Sequence, residues 1–494
     1  MMKKIAGVAR CVVFLTILML VLGTINEVLQ PNYTYVNADW PSSTTYNQFY
    51  RMEKNTVDVL FMGSSVCINA FSPMQLYRDH GIRSYNLGSE QQGPFLSYFW
   101  LKEALRYQKP KVVVIDALFC CTRYDETVVN TTDGMVRKCL DAMRLSPVKI
   151  EAIRTLCSLD EKQDKMSYYL KNLQYHDRWK NLNAVDFDRS ERAYSKLMGY
   201  APGRDNPRYT YKTFDPKDPT AVSDAFHELS MEYMDKMAVL CKENGIEMIF
   251  VNIPGDEIDD GKNNRFNAFA KKHGIDFYNF SETSLYQTIG AKLPEESIVL
   301  HSNLKGAAKL TAYMGNLLVG QYGIKGVKDE QWEKNLTFYE NFIRMEELPS
   351  IDDAETYLAT LPREDCTIFM TVKDDAYTGM TDGVKEELQK LGLHTQWNEE
   401  MYRQPYLAIL SSGKIIEGAK GYQGHSDRFE GGRYDLLSIG YQDGNVASIK
   451  INGEEQSVNQ RGLNIVVYSH YLNRVVDSVN FDMHGGTGTA LRKE

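Results

Sequence analysis

The chain has 494 residues, of which 43% are hydrophobic and 24% are charged, a composition typical of globular proteins. This length exceeds one ordinary core and suits two or three domains. The formal net charge of −9 argues against a nucleic-acid partner, because phosphate binding needs a basic face. Walker-type loops, Rossmann glycine fingerprints and paired-cysteine zinc spacings are absent, so no cofactor and no metal site are predicted. The irregular spacing of the cysteines leaves disulfide pairing open.

An uncharged apolar run, residues 11–25, follows a basic N-terminus. Extended back to Ile5, with Arg10 reaching the membrane surface, it approaches the roughly 20 residues that span a bilayer. A cleaved signal peptide and a retained anchor are the alternatives. No small-residue cleavage motif follows closely, which favours a single-pass anchor in residues 1–25, with the lipid bilayer as partner and the body extracytoplasmic. The polar, tyrosine-rich residues 26–50 are a predicted spacer.

Strand-like and helix-like segments alternate after this spacer. The run "VDVLFM" (57–62) is typical of a buried parallel strand that ends at Gly63. The next segment, "SPMQLYRDHG", predicts a short helix with Ser72 as N-cap, Pro73 at its first position and Gly81 at its end. Strand "IRSYNLG", helix "PFLSYFWLKEALRYQ" and strand "KVVVIDALF" follow. These βαβ repeats predict a parallel sheet.

Residues 122–215 interrupt the alternation with helical, charge-rich sequence, and we interpret them as an insertion over the sheet edge or the site. The pattern resumes with a helix around 221–244, strand "IEMIFVNIP", helix "NRFNAFAKKHG", strand "IDFYNF" and a helix around 305–322. Residues 51–324 are therefore predicted to form one α/β domain with a doubly wound, flavodoxin-like parallel sheet. The charged residues 325–345 are a predicted linker.

The last part of the chain, residues 346–494, has a different pattern. Helix "IDDAETYLATL", strand "CTIFMTV" and helix "TDGVKEELQKLG" precede several short strands that are separated by Gly, Asn and Asp turns. Residues 447–451 alternate in polarity before Asn452-Gly453, a dipeptide common in tight hairpins. This part is predicted to be a second, α+β domain with mostly antiparallel strands.

Ser64 and Ser65 follow Gly63 at the end of the first strand. Ligands of doubly wound sheets lie at the carboxyl ends of the strands, so either hydroxyl would face that crevice. A glycine turn followed by a serine helix cap is the structural alternative. A serine hydroxyl becomes a good nucleophile when a base accepts its proton, and His301, within "HSNLKGAAK", is the histidine whose motif suits that role.

Three stretches, "VLFMGSSVCINAF", "YNLGSEQQG" and "HSNLKGA", resemble the sequence blocks of the SGNH (GDSL-like) hydrolase superfamily over residues 57–323. The Gly-Ser-Ser version resembles the membrane-anchored branch of D-alanyl-lipoteichoic-acid transfer and alginate O-acetylation proteins. The resemblance implies that Ser65 is the nucleophile, that His301 is the general base and acid, and that Gly88 and the Ser65 backbone form an oxyanion hole. The supporting matches are Ser64, at a place where Asp is commoner, and Asn303, in the last block.

Two departures from the family pattern concern the support of the histidine. The acid expected two or three positions before His301 is missing, because Ile298 and Val299 occupy those places. Glu295 and Glu296 lie slightly upstream and would reach the imidazole only if the loop bends back. The third block, usually Gly-x-Asn-Asp, is also missing, and Asp116 at the end of the third strand is either a polar group of the site or a loop cap.

The second domain, over residues 346–486, resembles the interleukin-like epithelial–mesenchymal transition inducer domain. The similar stretches are "CTIFMTVKDDAYTGMTDGVKEELQKLG", "YRQPYLAIL" and "VASIKINGEEQSVNQRGLNIVVYSHYLNRVVDSVNFDMHGG". The resemblance implies a β-sandwich with flanking helices, and it implies carbohydrate binding because a related domain forms the glycan-binding stem of a glycosyltransferase. Asp375, Arg403 and Trp397 are the candidate glycan-binding residues. Structural ion pairs or turn caps are the alternative roles for the charged ones.

Together these patterns predict a membrane-anchored, extracytoplasmic SGNH-type serine esterase or O-acyltransferase that acts on a cell-envelope or extracellular polysaccharide. The resemblance implies a membrane-embedded acyltransferase as a partner. The alternative is a catalytically degraded scaffold that binds a glycan or an envelope-assembly partner, and the missing acid and missing third block motivate it.

Overall fold

A computed structural model describes residues 2–31, 44–187, 193–203, 213–254, 257–292, 295–298, 301–411, 413–485 and 490–493. Parts of the predicted spacer and insertion, together with Val299, lie outside these ranges. The chain divides into two compact units, residues 1–336 and 337–494, which are described separately.

The helices of the first unit are α1 (Met2–Leu29), α2 (Thr45–Phe49), α3 (Ser65–Ala70), α4 (Pro73–His80), α5 (Pro94–Ala104), α6 (Asp133–Ala142), α7 (Pro147–Leu159), α8 (Lys165–Tyr169), α9 (Asn172–Tyr175), α10 (Ala184–Phe187), α11 (Glu228–Glu243), α12 (Asp260–His273), α13 (Thr283–Ile289) and α14 (Leu304–Gly320). Its strands are β1 (Val59–Gly63), β2 (Ser84–Gly88), β3 (Val112–Asp116), β4 (Glu247–Asn252), β5 (Asp276–Asn279), β6 (Ser297–Ile298) and β7 (His301–Ser302).

The N-terminal helix α1 is long and apolar enough to cross a membrane over Gly7–Leu29, where its mean hydropathy is 2.4. Its side chains are exposed from Gly7 to Ile25, whereas Leu29 is buried against the rest of the unit. The helix thus has the length and composition of the predicted anchor.

Strands β1 to β5 form one parallel sheet in the order β2-β1-β3-β4-β5. This order confirms the predicted α/β fold with a doubly wound sheet. The central strands β1 and β3 are buried along their whole length, as continuous apolar runs are when helices cover both faces. The strand order reverses between β1 and β3, and this reversal opens a crevice at their carboxyl ends.

Helix ends in this unit follow local chemistry. In α4, the Ser72 hydroxyl accepts a hydrogen bond from Gln75 N (3.4 Å), Pro73 is the first helical residue and Gly81 ends the helix at φ 67°.

Helix α11 begins seven residues later than the predicted Ala221, at Glu228. The residues before it are held in an extended bridge to the segment after β3, and this tertiary pairing overrides the helical pattern.

The elements of the second unit begin with α15 (Glu330–Glu347), which crosses the boundary between the units and makes most of the predicted linker helical. They continue with α16 (Ala354–Thr360), β8 (Cys366–Lys373), α17 (Asp382–Lys390), β9 (Tyr406–Ser411), β10 (Lys414–Ala419), β11 (Gln423–Phe429), β12 (Gly432–Ile439), β13 (Val446–Ile451), β14 (Glu454–Glu455), β15 (Gly462–Ser469), β16 (Arg474–Phe481) and β17 (Ala490–Arg492).

Two antiparallel sheets make up this unit, in the orders β10-β9-β8-β15-β16-β17 and β11-β12-β13-β14. Phe369 and Val466 of the larger sheet pack in one core with Leu436 and Ile449 of the smaller sheet. The sheets therefore pack face to face, and the predicted α+β, mostly antiparallel class is confirmed. Asn452-Gly453 joins β13 to β14 with φ of 51° and 87°, the positive values that a tight hairpin turn requires.

Candidate active site

Ser65 and His301 meet at the carboxyl end of β1. The Ser65 Oγ and His301 Nε2 atoms are 2.8 Å apart, although 236 residues separate them in the chain. Ser65 is the first residue of α3, directly after β1, and His301 lies in β7 just before α14. Both side chains are half-buried. The hydroxyl and the imidazole that the sequence predicts to act together are therefore in hydrogen-bond contact in the predicted crevice.

The turn between β1 and α3 holds Ser65 at the start of a helix. Gly63 ends β1 at φ 130° and Ser64 is extended, so the chain changes direction within two residues. Ser65 is the first helical residue, and first-turn N–H groups have no acceptor within their own helix. The backbone at Ser65 can therefore offer a hydrogen bond to a developing oxyanion.

Asp116, at the end of β3, braces this turn from the neighbouring strand. Its Oδ2 accepts a hydrogen bond from Ser64 N (2.6 Å), and its Oδ1 accepts from Ser64 Oγ (3.2 Å) and Leu118 N (2.9 Å). Burial raises the pKa of Asp116 to about 6, against the lowering effect of these donors. A Cβ on Gly63 would lie 2.0 Å from Asp116 Oδ2, so the brace needs glycine at that position.

Ser64 occupies the N-cap position of α3 but makes no side-chain cap hydrogen bond. Its hydroxyl donates to Asp116 instead, so Ser64 is part of the brace. The structural alternative of a helix-capping serine thus does not describe how Ser64 is used. Asp116, in turn, bonds both to the site turn and to the loop after its own strand, which combines the two alternatives that the sequence left open.

Gly88 ends β2 directly beside Gly63 in the parallel register. A Cβ on Gly88 would lie 2.6 Å from Gly63 O and 2.8 Å from Ile68 Cγ2. Only glycine lets the β2 backbone pack this closely against β1 and α3. The Gly88 main chain therefore lies against the helix that carries Ser65.

Asn303 caps the helix that follows the histidine. Its Oδ1 accepts hydrogen bonds from Lys305 N and Gly306 N (both 3.1 Å), and its Nδ2 donates to Glu295 O (2.7 Å). Asn303 is fully buried, and Ile298 pairs with His301 across the β6–β7 hairpin. These bonds tie the start of α14 to the loop before β6 and so set the position of the hairpin.

Glu296 is engaged by two donors of its own region. Its Oε1 accepts from Lys309 Nζ of α14, and its Oε2 accepts from Lys292 N, both at 2.6 Å. Both carboxylate oxygens of this buried side chain therefore hold the loop before β6 to α14. The Glu296 carboxylate thus bonds to Lys309 and Lys292, whereas the sequence suggested that it orients the His301 imidazole.

A segment of the insertion, residues 198–203, here called the site strap, connects the elements that carry the site. Its backbone bonds are Asn86 N to Met198 O (2.9 Å), Ala201 N to Ile68 O (2.9 Å) and Leu304 N to Gly203 O (3.1 Å), and the Asn69 side chain donates to Ala201 O. It therefore contacts β2, α3 and the start of α14. The sequence does not predict a site role for residues 198–203 or Asn69; the Pro, Gly and Asn residues of "YAPGRDNPRY" (200–209) are typical only of a loop.

Two candidate glycan-binding residues lie inside the second unit. Trp397 is 9% exposed and packs on Tyr406 in the hydrophobic core, with 4.9 Å between ring centroids. Asp375 is buried and accepts hydrogen bonds from Tyr377 N (3.0 Å) and from Thr378 N (3.3 Å), as a turn cap does. Neither side chain presents the open face or carboxylate that a sugar would contact, because tertiary packing encloses both.

Arg403 is the candidate that remains at the surface of the second unit. Its guanidinium lies 4.2 Å from the Tyr441 ring centroid and 5.2 Å from that of Tyr402, and its Nε is 3.4 Å from Asp374 Oδ1. Both tyrosine rings are exposed, and the Arg403 side chain is 40% exposed. An accessible cation beside two aromatic rings is able to donate hydrogen bonds to a sugar while a ring stacks on its face.

No family model and no curated protein matches the chain. Among solved structures, it is similar to a "putative acylhydrolase" from Bacteroides fragilis, at 14% sequence identity, covering 60% of this chain and 99% of that one, with a TM-score of 0.28. At this identity and TM-score, the similarity carries no argument about activity.

Proposed function

We propose that the protein is a membrane-anchored serine esterase or O-acyltransferase of SGNH type. Ser65 is the nucleophile and His301 is the general base and acid. The observation that carries this proposal is the 2.8 Å contact between Ser65 Oγ and His301 Nε2 at the carboxyl ends of the strands. A contact of this length at a half-buried serine is what proton transfer to the imidazole requires.

The proposed reaction forms and then resolves an acyl group on Ser65. Ser65 Oγ attacks the ester carbonyl carbon while His301 Nε2 takes the hydroxyl proton, and the Ser65 and Gly88 N–H groups stabilise the oxyanion. The imidazolium then gives its proton to the leaving alcohol, which leaves an acyl group on Ser65. Water or a sugar hydroxyl attacks that acyl group, His301 accepts the proton of the attacking group, and Ser65 recovers its hydrogen. Water gives ester hydrolysis, and a sugar hydroxyl gives acyl transfer.

The substrate that we propose is a cell-envelope or extracellular polysaccharide. The apolar helix α1 supports a place at the membrane. The half-buried Arg403 beside the exposed rings of Tyr402 and Tyr441 supports carbohydrate contact by residues 337–494. Because the body would lie outside the cytoplasm, the acyl donor for transfer would come through a membrane-embedded acyltransferase, the partner that the family resemblance implies.

A glycan-binding scaffold without activity is the second candidate, and the engagement of Glu296 by Lys309 and Lys292 favours it. An imidazole without that carboxylate relies on other groups for its orientation, and loss of an orienting acid lowers the rate of serine hydrolases by about 10⁴-fold. The two candidates differ in whether Ser65 is activated.

The experiment that separates them treats the full chain, in detergent micelles, with a serine-reactive fluorophosphonate and maps the adduct by mass spectrometry. We expect one adduct on Ser65, none in S65A and a slower reaction in H301A. S284A removes an exposed serine hydroxyl on α13 and serves as the control that keeps the adduct. Folded chain that leaves Ser65 unlabelled would overturn the enzyme proposal, as would equal hydrolysis of acetyl esters by wild type and S65A.

A further inference from the structure

The insertion carries a group of exposed apolar side chains, here called the apolar surface, over α8 to α10. Its members are Met166, Leu170, Leu173, Trp179 and Phe187, each more than half exposed. Such side chains are costly to leave in water when they cluster, and a cluster indicates an interaction surface. The question is therefore what covers them.

The end of α1 is bonded to the same part of the insertion. Arg178 Nη1 donates to Leu29 O (2.8 Å), and Lys171 Nζ donates to Gln30 Oε1 (2.5 Å). Arg178 Nη2 also donates to Asp186 Oδ1 (2.6 Å), which brings α10 into the same contact. Arg178 and Lys171 therefore hold the insertion against the end of α1, and Asp186 holds Arg178.

Each residue of this contact is next in sequence to a member of the apolar surface. Leu170 precedes Lys171, Trp179 follows Arg178 and Phe187 follows Asp186. Lys171 and Arg178 bind the end of α1 and Asp186 binds Arg178, while the apolar neighbours of all three remain exposed. The Cα atoms of Leu170, Trp179 and Phe187 thus lie about 3.8 Å from those of the polar residues in this contact, which places these members of the apolar surface beside it.

The level of this contact along α1 identifies the partner. Side chains of α1 are exposed through Ile25, and Leu29 is buried against the insertion. Four residues of helix rise span about 6 Å, so the exposed apolar stretch ends and the protein contact begins within one helical turn. If the exposed stretch faces acyl chains, the apolar surface lies at the headgroup level, where Trp is enriched in membrane proteins.

We infer that α8 to α10 rest on the outer surface of the bilayer that α1 crosses, with Leu170, Leu173, Trp179 and Phe187 among the lipid headgroups and upper acyl chains. The inference rests on α1 spanning the membrane and is independent of the activity proposed for Ser65. It gives the first unit two attachments to the lipid, a spanning helix and an adjacent surface contact. A body held in two places has a defined orientation on the membrane.

Tryptophan fluorescence of the full chain in phosphatidylcholine nanodiscs tests this inference. Lipids brominated in the upper acyl chain quench indoles that contact them, whereas iodide quenches indoles that face water. We expect brominated lipid to quench a component of wild-type emission that W179F lacks. W397F is the matched control, because Trp397 is buried in the second unit and its removal leaves the quenched component in place.

A second variant keeps the test independent of Trp179 alone. The double variant W179F/F187W places an indole at another member of the apolar surface, and we expect it to recover quenching by brominated lipid. Equal quenching of wild type and W179F by brominated lipid would overturn the inference. Iodide quenching of the Trp179 component in nanodiscs would also overturn it, because a surface reserved for another protein faces water in the purified chain.

Discussion

The two adjacent serines at the end of β1 have different roles in the structure. Ser65 directs its hydroxyl to His301, whereas Ser64 directs both its N–H and its hydroxyl to Asp116. The carboxylate that braces the turn before Ser65 therefore comes from the next strand of the sheet. At the residue scale, the position of Ser65 depends on Asp116, Ser64 and Gly63 together.

The first residue-scale prediction concerns Asp116 and pH. Burial raises the pKa of Asp116 from its ordinary value of 3.8 to about 6, so the folded chain keeps this proton to higher pH than the unfolded chain. The stability that this group contributes is fully present below about pH 4 and is lost as pH rises through about 6, on the order of 3 kcal/mol in all. Denaturant unfolding of the full chain should therefore show the stability deficit of D116N relative to wild type shrinking between pH 4 and pH 7.

The control for Asp116 is D125N, because Asp125 is an exposed carboxylate of the same region. Its unfolding free energy should follow that of wild type at every pH. A deficit of D116N that stays constant from pH 4 to pH 7 would show that Asp116 does not titrate in this range.

The second residue-scale prediction concerns Gly63. In G63A the new methyl group would meet Asp116 Oδ2 at 2.0 Å, and alanine is strained at φ 130°. We expect a loss of about 2 kcal/mol or more in the free energy of unfolding and loss of serine-probe labelling, because the brace must move. G134A is the control, since nothing lies within 4 Å of a Cβ there, and it should change stability by less than about 1 kcal/mol. A fully labelled G63A would contradict the brace.

At the scale of elements, the histidine depends on how α14 begins. The Asn303 cap holds the first turn of α14 and the loop before β6, and the β6–β7 hairpin with His301 lies between them. The site strap adds bonds to β2, α3 and α14, so the three elements of the site are connected by a segment of the insertion. Distances at the site are therefore set by loop and cap contacts as well as by the sheet.

The element-scale prediction is that N303A loses activity beyond what its stability loss explains. Removal of the cap should lower the free energy of unfolding by about 1–2 kcal/mol and lower ester hydrolysis by about 10- to 100-fold, since the His301 loop loses its support. D259A removes the cap of α12, where Asp259 accepts from Lys262 N (2.7 Å), away from the predicted catalytic pair. It should show a similar stability loss with activity near that of wild type. Equal activity of N303A and D259A would refute a positioning role for Asn303.

At the scale of the whole molecule, two units carry separate parts of the proposed function. The first unit contains Ser65 and His301, and the second contains the half-buried Arg403 with its neighbouring exposed rings. Chemistry and carbohydrate contact should therefore respond to different substitutions. Small acetyl esters test the first unit, and polysaccharide retention tests the second.

The whole-molecule prediction is that R403A in the full chain weakens polysaccharide binding about tenfold, because a charge-assisted hydrogen bond is worth about 1.5 kcal/mol. Hydrolysis of small acetyl esters should stay unchanged, and S65A should keep its polysaccharide binding. R433A is the control, since Arg433 is an exposed arginine that pairs with Asp435 (3.3 Å) and lies on a strand. Binding on a glycan array that is equal for wild type, R403A and R433A would remove Arg403 from the proposed glycan site.

The sequence by itself determined the order and type of the main elements. Gly63 ends the apolar run of β1, and Ser72 and Pro73 begin α4. Both boundaries reflect local backbone preferences and burial. The Asn452-Gly453 hairpin was predictable for the same reason, because positive φ at two residues is a local requirement. The blocks around Ser65 and His301 also indicated which side chains to bring together, though not whether they meet.

Only the tertiary structure decided which groups meet and which are enclosed. The 2.8 Å contact joins residues 236 positions apart, and no local pattern determines such a distance. Trp397 is buried against Tyr406, whereas the sequence suggested it as a glycan-binding residue. Glu296 pairs with Lys309, whereas the sequence suggested it as the acid of the imidazole. These outcomes depend on loop paths and on the partners that other elements supply, and local propensity carries no information about either.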